Sequence, residues 1–261
     1  MNEEKFTGMG EIYAKYRPSY TNALIEYLYT EIGFNKESTI ADIGAGTGIL
    51  SKLLLLRGST VIAVEPNDDM RKIAEQDLAT FHNFISIKAS AENTTIQNAS
   101  VDFVTVAQAF HWFDPLLFQK ECRRILNISS KPATTKGTES KVVLIWNSRD
   151  NTSEFVQECD RVTQQFCPDF TGSTGGRRGA SSEVLAVFFE NGIYESRMFQ
   201  NDLYFNETDF IGRSLSNSSA LKEGEPGYAA FVAALLNLFY KYSHDGVLHC
   251  PNIIKCYVGK V

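Results

Sequence analysis

The five cysteines include no C-x-x-C pair, and their number is odd. That spacing argues against a zinc site, and more strongly against a disulfide framework. Reduced thiols at Cys122, Cys159, Cys167, Cys250 and Cys256 are the plain reading. No apolar run approaches the ~20 residues of a membrane span. Residues 1–6 lack the charged-then-apolar layout of a signal peptide, so a cytoplasmic protein is expected. Without secretion, the N-x-S/T triplets at Asn93, Asn98, Asn127, Asn151, Asn206 and Asn217 carry no meaning. Basic charge is also scarce: 25 Lys and Arg stand against 31 Asp and Glu, for a net charge of −6 and a pI near 5.3. A dedicated nucleic-acid surface normally carries a basic stripe, and none is visible. No H-x-x-x-H or acidic cluster suggests a metal, and no internal repeat is present. With 43% hydrophobic and 21% charged residues, the 261-residue chain suits one large α/β domain with an elaboration, or two small domains.

What is present is concentrated between Ser38 and Pro66, which read S-T-I-A-D-I-G-A-G-T-G-I-L-S-K-L-L-L-L-R-G-S-T-V-I-A-V-E-P. Residues 39–43 are β-branched and apolar, as a strand buried on both faces would be. Gly44, Gly46 and Gly48 follow, then an apolar helical run over 49–56 closed by Arg57-Gly58. A second buried strand over 60–64 ends on Glu65. Glycines let backbone N–H groups approach a ligand and permit φ values that a side chain forbids. A carboxylate at the tip of the second strand is placed to accept hydrogen bonds from two ribose hydroxyls. A dinucleotide fingerprint would need its third glycine at Ile49, where it is absent. Asp42 before the turn would repel a pyrophosphate, but suits an ammonium on an amino acid attached to adenosine.

At these residues the sequence resembles the class I S-adenosylmethionine-dependent methyltransferases. The likeness continues through Val64-Glu65-Pro66-Asn67, Ala91-Glu92 and Ala107-Gln108-Ala109-Phe110-His111-Trp112-Phe113. With Tyr13-Ala14-Lys15-Tyr16-Arg17-Pro18, it is similar to the small-molecule branch that includes the trans-aconitate methyltransferases. The resemblance spans residues 8–146 and thins afterwards. It implies a doubly wound, mostly parallel, Rossmann-like sheet of seven strands. An N-terminal helical lid (residues 1–35), a cofactor-binding core (36–150) and a C-terminal part (151–261) would make up the chain. The last part would complete the sheet and cover the substrate site with a helical elaboration.

In chain order, short helices are expected over 8–16 and 20–33, the second with Leu24, Tyr27, Leu28 and Ile32 on one face. Asn67 is the expected cap of a helix running to about 78, with Asp68 and Asp69 favouring its dipole. Strands are expected over 84–89, 103–107 and 141–146, with Asp102 structural at the start of the second. A helix over 116–126 buries Phe118, Cys122 and Ile125. Residues 127–140, rich in Ser, Thr, Lys and Pro, read as a surface excursion. Later come helices over 154–166, 182–190, 207–215 and 228–242, and strands over 194–204 and 254–261. The two late strands fit a reversed hairpin closing the sheet. The loop 171–179, with Arg177 and Arg178 among glycines, reads either as an anion site or as a solvated linker.

The resemblance implies methyl transfer from S-adenosylmethionine to a small-molecule acceptor, with a carboxylate as one candidate. It places the cofactor against Asp42, Gly44, Ala45, Gly46, Gly48, Glu65, Pro66, Met70, Ala91, Glu92 and Gln108. Glu92 fits equally well as an ordinary turn residue. The acceptor would meet Tyr13, Tyr16, Arg17, His111, Trp112 and Arg149. His111 is the one histidine at an informative place, since His82, His244 and His249 read as loop residues. It can act as a general base, orient a substrate carboxylate, or hydrogen-bond the lid. Two other readings share parts of the pattern: a noncatalytic S-adenosylmethionine-binding protein, and an NAD-dependent oxidoreductase. Neither a nucleic-acid partner nor a membrane is expected, and oligomeric state is not legible.

Overall fold

A computed structural model describes residues 17–127, 140–170, 172, 181–217 and 219–261. The expected helix over 8–16, the excursion over 128–139 and the arginine pair at 177–178 lie outside the described residues. Of the expected acceptor contacts, so do Tyr13 and Tyr16.

Helix α1 (Asn22–Tyr27) is capped by Thr21, whose hydroxyl accepts from the Leu24 N–H, and it continues as a π turn (Leu28–Ile32). Gly33 ends that turn at φ 100°, a left-handed conformation that favours glycine. Strands β1 (Thr39–Ile43), β2 (Thr60–Val64), β3 (Phe84–Ile87), β4 (Phe103–Ala107) and β5 (Lys141–Arg149) form the parallel part of one sheet. Helices α2 (Ile49–Leu56), α3 (Asp68–Asp77) and α4 (Pro115–Ile125) connect them. Asn67 accepts from the Asp69 and Met70 amides, and Asp114 from those of Leu116 and Leu117, so both helices begin where a short polar side chain replaces the missing backbone acceptors. Beyond α5 (Glu154–Phe166) and α6 (Ser182–Phe188), β6 (Tyr194–Gln200) and β7 (Leu203–Phe205) lead to α7 (Glu207–Leu215) and α8 (Tyr228–Tyr242). The chain ends with β8 (Leu248–Cys250) and β9 (Asn252–Gly259).

The seven-stranded sheet has the order β3-β2-β1-β4-β5-β9-β6, with β9 antiparallel to both of its neighbours. This is the doubly wound, mostly parallel architecture expected, closed by the late strands β9 and β6, of which β9 alone runs reversed. The order turns outward in both directions from β1 and β4, and that switch opens a crevice at the strands' C-terminal ends.

Successive residues of a strand face opposite sides of the sheet, and β1, β4 and β5 are buried on both. From β5, Val143 and Ile145 join Leu24, Leu28, Ile40, Leu54, Val61 and Phe103 on one face. Val142, Leu144 and Trp146 join Ile43, Val104, Val106, Phe110, Phe118 and Phe188 on the other. A third cluster, separate from the sheet faces, gathers Phe155, Cys159, Phe210, Phe231, Leu235, Phe239 and Leu248 from α5, α7, α8 and β8. Among the described residues no helix is long and apolar enough to cross a membrane.

Three details differ from the sequence reading. Strand β5 runs on to Arg149, because Asn147, Ser148 and Arg149 pair with Ile254, Ile253 and Asn252 of β9. The stretch 194–204 is two strands in different sheets, since β7 leaves β9 and pairs with β8. His249 consequently lies in β8, opposite Tyr204, and not in a loop.

Candidate active site

The turn after β1 is tied to β2 by its own backbone. The Gly44 and Ala45 amides both donate to the Val64 carbonyl, at 2.8 and 3.1 Å. Gly44, Gly46 and Gly48 all have positive φ, at 68°, 57° and 80°. Their surroundings differ. A Cβ on Gly44 would lie 2.5 Å from the Ala109 Cβ, and one on Gly48 would lie 2.8 Å from the Leu78 Cδ1. A Cβ on Gly46 would meet nothing within 4 Å. The outer two glycines are required by the protein's own packing, and the middle one faces open space.

Glu65 follows β2 and turns back over that space. Its Oε2 accepts from the Gly46 amide and its Oε1 from the Asn67 amide, both at 2.9 Å. Burial raises its carboxyl above the usual range, while the two amides and the Arg71 charge act against that rise. The Thr47 hydroxyl, on the residue after Gly46, is buried and has no hydrogen-bond partner. Met70 and Ala91 are buried, at 3% and 5% exposure, and Ala91 belongs to the core cluster that holds Ile43 and Val64. Pro66 is half-buried.

Asp42 differs from expectation. It is 1% exposed, and its two oxygens accept from the Ser51 hydroxyl at 2.6 Å and the Thr105 hydroxyl at 2.9 Å. Burial pushes its carboxyl up to about 6, with both hydroxyls opposing. The β-strand alternation turns Asp42 inward between α2 and β4, so its carboxylate braces the turn from beneath and does not reach for a ligand ammonium. Glu92 is likewise spent internally: its Oε1 accepts from the Asp114 amide at 3.0 Å, at the start of α4. Arg149 turns towards α5, where it donates to the Cys159 Sγ at 3.2 Å and lies 3.9 Å from Asp160. An acceptor contact just beyond the fifth strand was the expectation; the longer β5 instead carries Arg149 towards Cys159 and Asp160 of α5.

Next to the glycine turn, at the ends of β4 and β5, the site is made of side chains. Gln108 has φ 61°, unusual for a residue with a Cβ, and its side-chain amide donates to the Asn147 carbonyl at 2.9 Å. The short 3₁₀ turn Phe110–Trp112 then presents His111 and Trp112, whose rings lie 4.6 Å apart. The His111 Nδ1 is buried without a partner, and its pKa is pushed down to about 4, by burial first and by the Arg17 charge second. Arg17 donates to the Ser216 carbonyl at 3.1 Å. The structure therefore brings Arg17 within electrostatic range of His111, although 94 positions separate them in the chain.

Sequence reasoning missed Asn147, Asn201 and Asn252. The Asn147 Oδ1 accepts from the side-chain amides of Asn201 and Asn252, at 2.9 and 3.1 Å. No local pattern could have revealed contacts made across such sequence distances. Thr47 was also passed over, although its place among the three glycines was a signal. Among the described residues no group of three His, Cys, Asp or Glu could hold a metal ion.

The methyltransferase domain family matches residues 41–131, the stretch that carries β1, the glycine turn, Glu65 and the His111 turn. An uncharacterized methyltransferase of Schizosaccharomyces pombe is 32% identical over 154 residues, covering 59% of this chain and 56% of that protein. A methyltransferase-named protein of Dictyostelium discoideum is 32% identical over 244 residues, covering 89% of this chain and 80% of its own length. This chain belongs to the methyltransferase family. Its fold is also that of a solved Anaeromyxobacter dehalogenans protein described as a type II methyltransferase. That pair has a TM-score of 0.65 at 22% identity, covering 94% of this chain and 97% of the other. Family members of fission-yeast type extend well past the matched region, and the chain spans little more than half of their length.

Proposed function

We propose that this protein transfers a methyl group from S-adenosylmethionine to a small-molecule acceptor, and that the accepting atom is a carboxylate oxygen. One observation carries the reading: of three glycines held at positive φ, the middle one faces open space under a carboxylate. The residues around that space fit the cofactor. Gly46 leaves room for close backbone approach, the buried Thr47 hydroxyl lacks a partner, and Glu65 can take hydroxyl donors on its remaining lone pairs. Gly44 to Gly48 would hold the methionyl end, Glu65 the ribose, and Met70 and Ala91 the apolar wall. When bound, S-adenosylmethionine supplies a methyl group on a sulfonium, already activated for in-line displacement.

The protein's own work is then to bind, align and exclude water. A carboxylate is ionised at neutral pH and needs no base, only a cation to hold it. Arg17, near His111, is the candidate for that cation. His111, with its pKa near 4, stays neutral across the physiological range and is too weak a base to favour removing a hydroxyl proton. Its role is to orient the acceptor by hydrogen bonding, alongside the Trp112 ring. The similarity to the trans-aconitate methyltransferase branch at Tyr13 to Pro18 supports a small acid in the same direction.

Calorimetric titration with S-adenosylmethionine, its demethylated product and NAD tests the first half. Binding of the first two and not of NAD is expected, and the reverse pattern would sink the reading. Turnover of a panel of small carboxylic acids with methyl-labelled cofactor tests the second half. Labelled ester is the expected product, and label found only in amines or alcohols would overturn the carboxylate assignment.

A further inference from the structure

The segment that leads into α1 crosses the C-terminal ends of β4 and β5 and is held there residue by residue. Arg17 donates to the Ser216 carbonyl at 3.1 Å, at the end of α7. The Pro18 carbonyl accepts from the Asn147 side chain at 3.5 Å, and the Ser19 carbonyl from the Asn201 side chain at 3.1 Å. Each hook comes from a different element: α7, β5, and the turn between β6 and β7. The two asparagines are themselves joined. Asn201 spends its other amide hydrogen on the Asn147 Oδ1, and Asn252 donates to the same oxygen. Asn252 is 3% exposed and fixed by the β5–β9 pairing, so this oxygen is anchored in the sheet. On its other side the Asn147 carbonyl holds the side chain of Gln108, the left-handed residue that opens the turn to His111.

We infer that Asn147 is a positioning residue, and that with Asn201 and Asn252 it forms a carboxamide latch fastening residues 17–19 over the acceptor side of the crevice. One residue grips both the lead-in segment and Gln108. It therefore fixes Arg17 and His111 relative to each other. An asparagine suits the task because its amide donates and accepts at once. The inference rests on the functional reading only for the word acceptor; the latch itself stands on the hydrogen bonds.

The test uses the full chain. In Asn201→Asp, a carboxylate without donors faces the Ser19 carbonyl and the Asn147 Oδ1, so the latch should open. Chymotryptic cleavage after Tyr20, mapped by mass spectrometry, should then be at least ~10-fold faster, since cleavage tracks the opened population. The His111 Cε1–H resonance should titrate at higher pH than in wild type, because Arg17 no longer sits near the ring. S-Adenosylmethionine affinity should stay within about twofold, as the β1–β2 turn is untouched. Arg17→Gln, which cuts the Ser216 hook, should speed the same cleavage even if Asn201→Asp does not fold. Wild-type cleavage rates in both variants, or a His111 titration that does not move in Asn201→Asp, would overturn the latch. Failure of the wild-type protein to bind S-adenosylmethionine would instead overturn the functional reading, leaving the cleavage and titration results to decide the latch.

Discussion

The two sides of the crevice are built from different materials. At the β1–β2 end the site is backbone: three glycines, two amides on the Val64 carbonyl, and one carboxylate satisfied by the Gly46 and Asn67 amides. At the β4–β5 end it is side chains: His111, Trp112, Gln108, Asn147 and Arg17, drawn from segments far apart in the chain. A backbone-built surface has one shape and suits a ligand that does not vary. A side-chain surface can be re-cut one substitution at a time and suits a ligand that differs between relatives. Under the proposed function, the first side would take the cofactor and the second the acceptor.

The largest expected effect breaks the contrast inside the glycine turn. Gly44→Ala should destabilise the fold by about 2–5 kcal/mol, adding a left-handed backbone cost to an overlap with Ala109. Gly46→Ala should cost only about 1–2 kcal/mol, the backbone part alone. Equal losses in denaturant unfolding would erase the distinction between packed and open glycines.

Next comes the buried carboxylate under the turn. Asp42 has a folded pKa of about 6, above its unfolded value, so between roughly pH 4 and 6 the folded state binds more protons than the unfolded one. Its contribution is therefore most favourable below that window and is lost as pH rises through it, by roughly 2–4 kcal/mol. His111 acts in the opposite sense, because its folded pKa of about 4 lies below the unfolded value and stability rises with pH from there. Asp42→Asn should remove the first slope and leave the second, as seen in unfolding free energy measured from pH 4 to 7. An unchanged profile would mean that Asp42 is ionised in the fold at little cost.

Glu65→Ala should weaken S-adenosylmethionine by about 1.5–3 kcal/mol, the range for a hydrogen bond to a charged group, with the fold intact. Unchanged affinity would remove Glu65 from the site. The smallest effect is expected at His111. His111→Gln should lower kcat by less than ~10-fold, and the wild-type rate should show no basic limb near pH 6.5. A histidine-like ionisation that disappears in the variant, with kcat down ~100-fold or more, would make His111 a general base.

The same contrast explains what could be read in advance. Strands β1, β2 and β4 and helices α2, α5, α7 and α8 fall where the apolar patterning put them, because local period and capping decide those bounds. The glycine turn was legible because a constraint on φ leaves its mark in residue type. The division of work among its glycines was not, since Ala109 and Leu78 come from elsewhere in the chain. Asp42 was misplaced because its hydroxyl partners, Ser51 and Thr105, sit on two other elements. Arg149 was misplaced because β9, more than 100 residues later, extends β5 past its apolar run. The asparagine latch left no local trace at all.

Cofactor affinity measured side by side in Gly46→Val and His111→Gln tests the division of labour most directly. Gly46→Val should fold and show no detectable heat with S-adenosylmethionine, because its side chain fills the open space beside the Glu65 carboxylate. His111→Gln should bind the cofactor within about twofold of wild type, since the proposed function gives the ring to the acceptor. Normal binding by the Gly46 variant, or lost binding by the His111 variant, would contradict the assignment of cofactor and acceptor to the two sides.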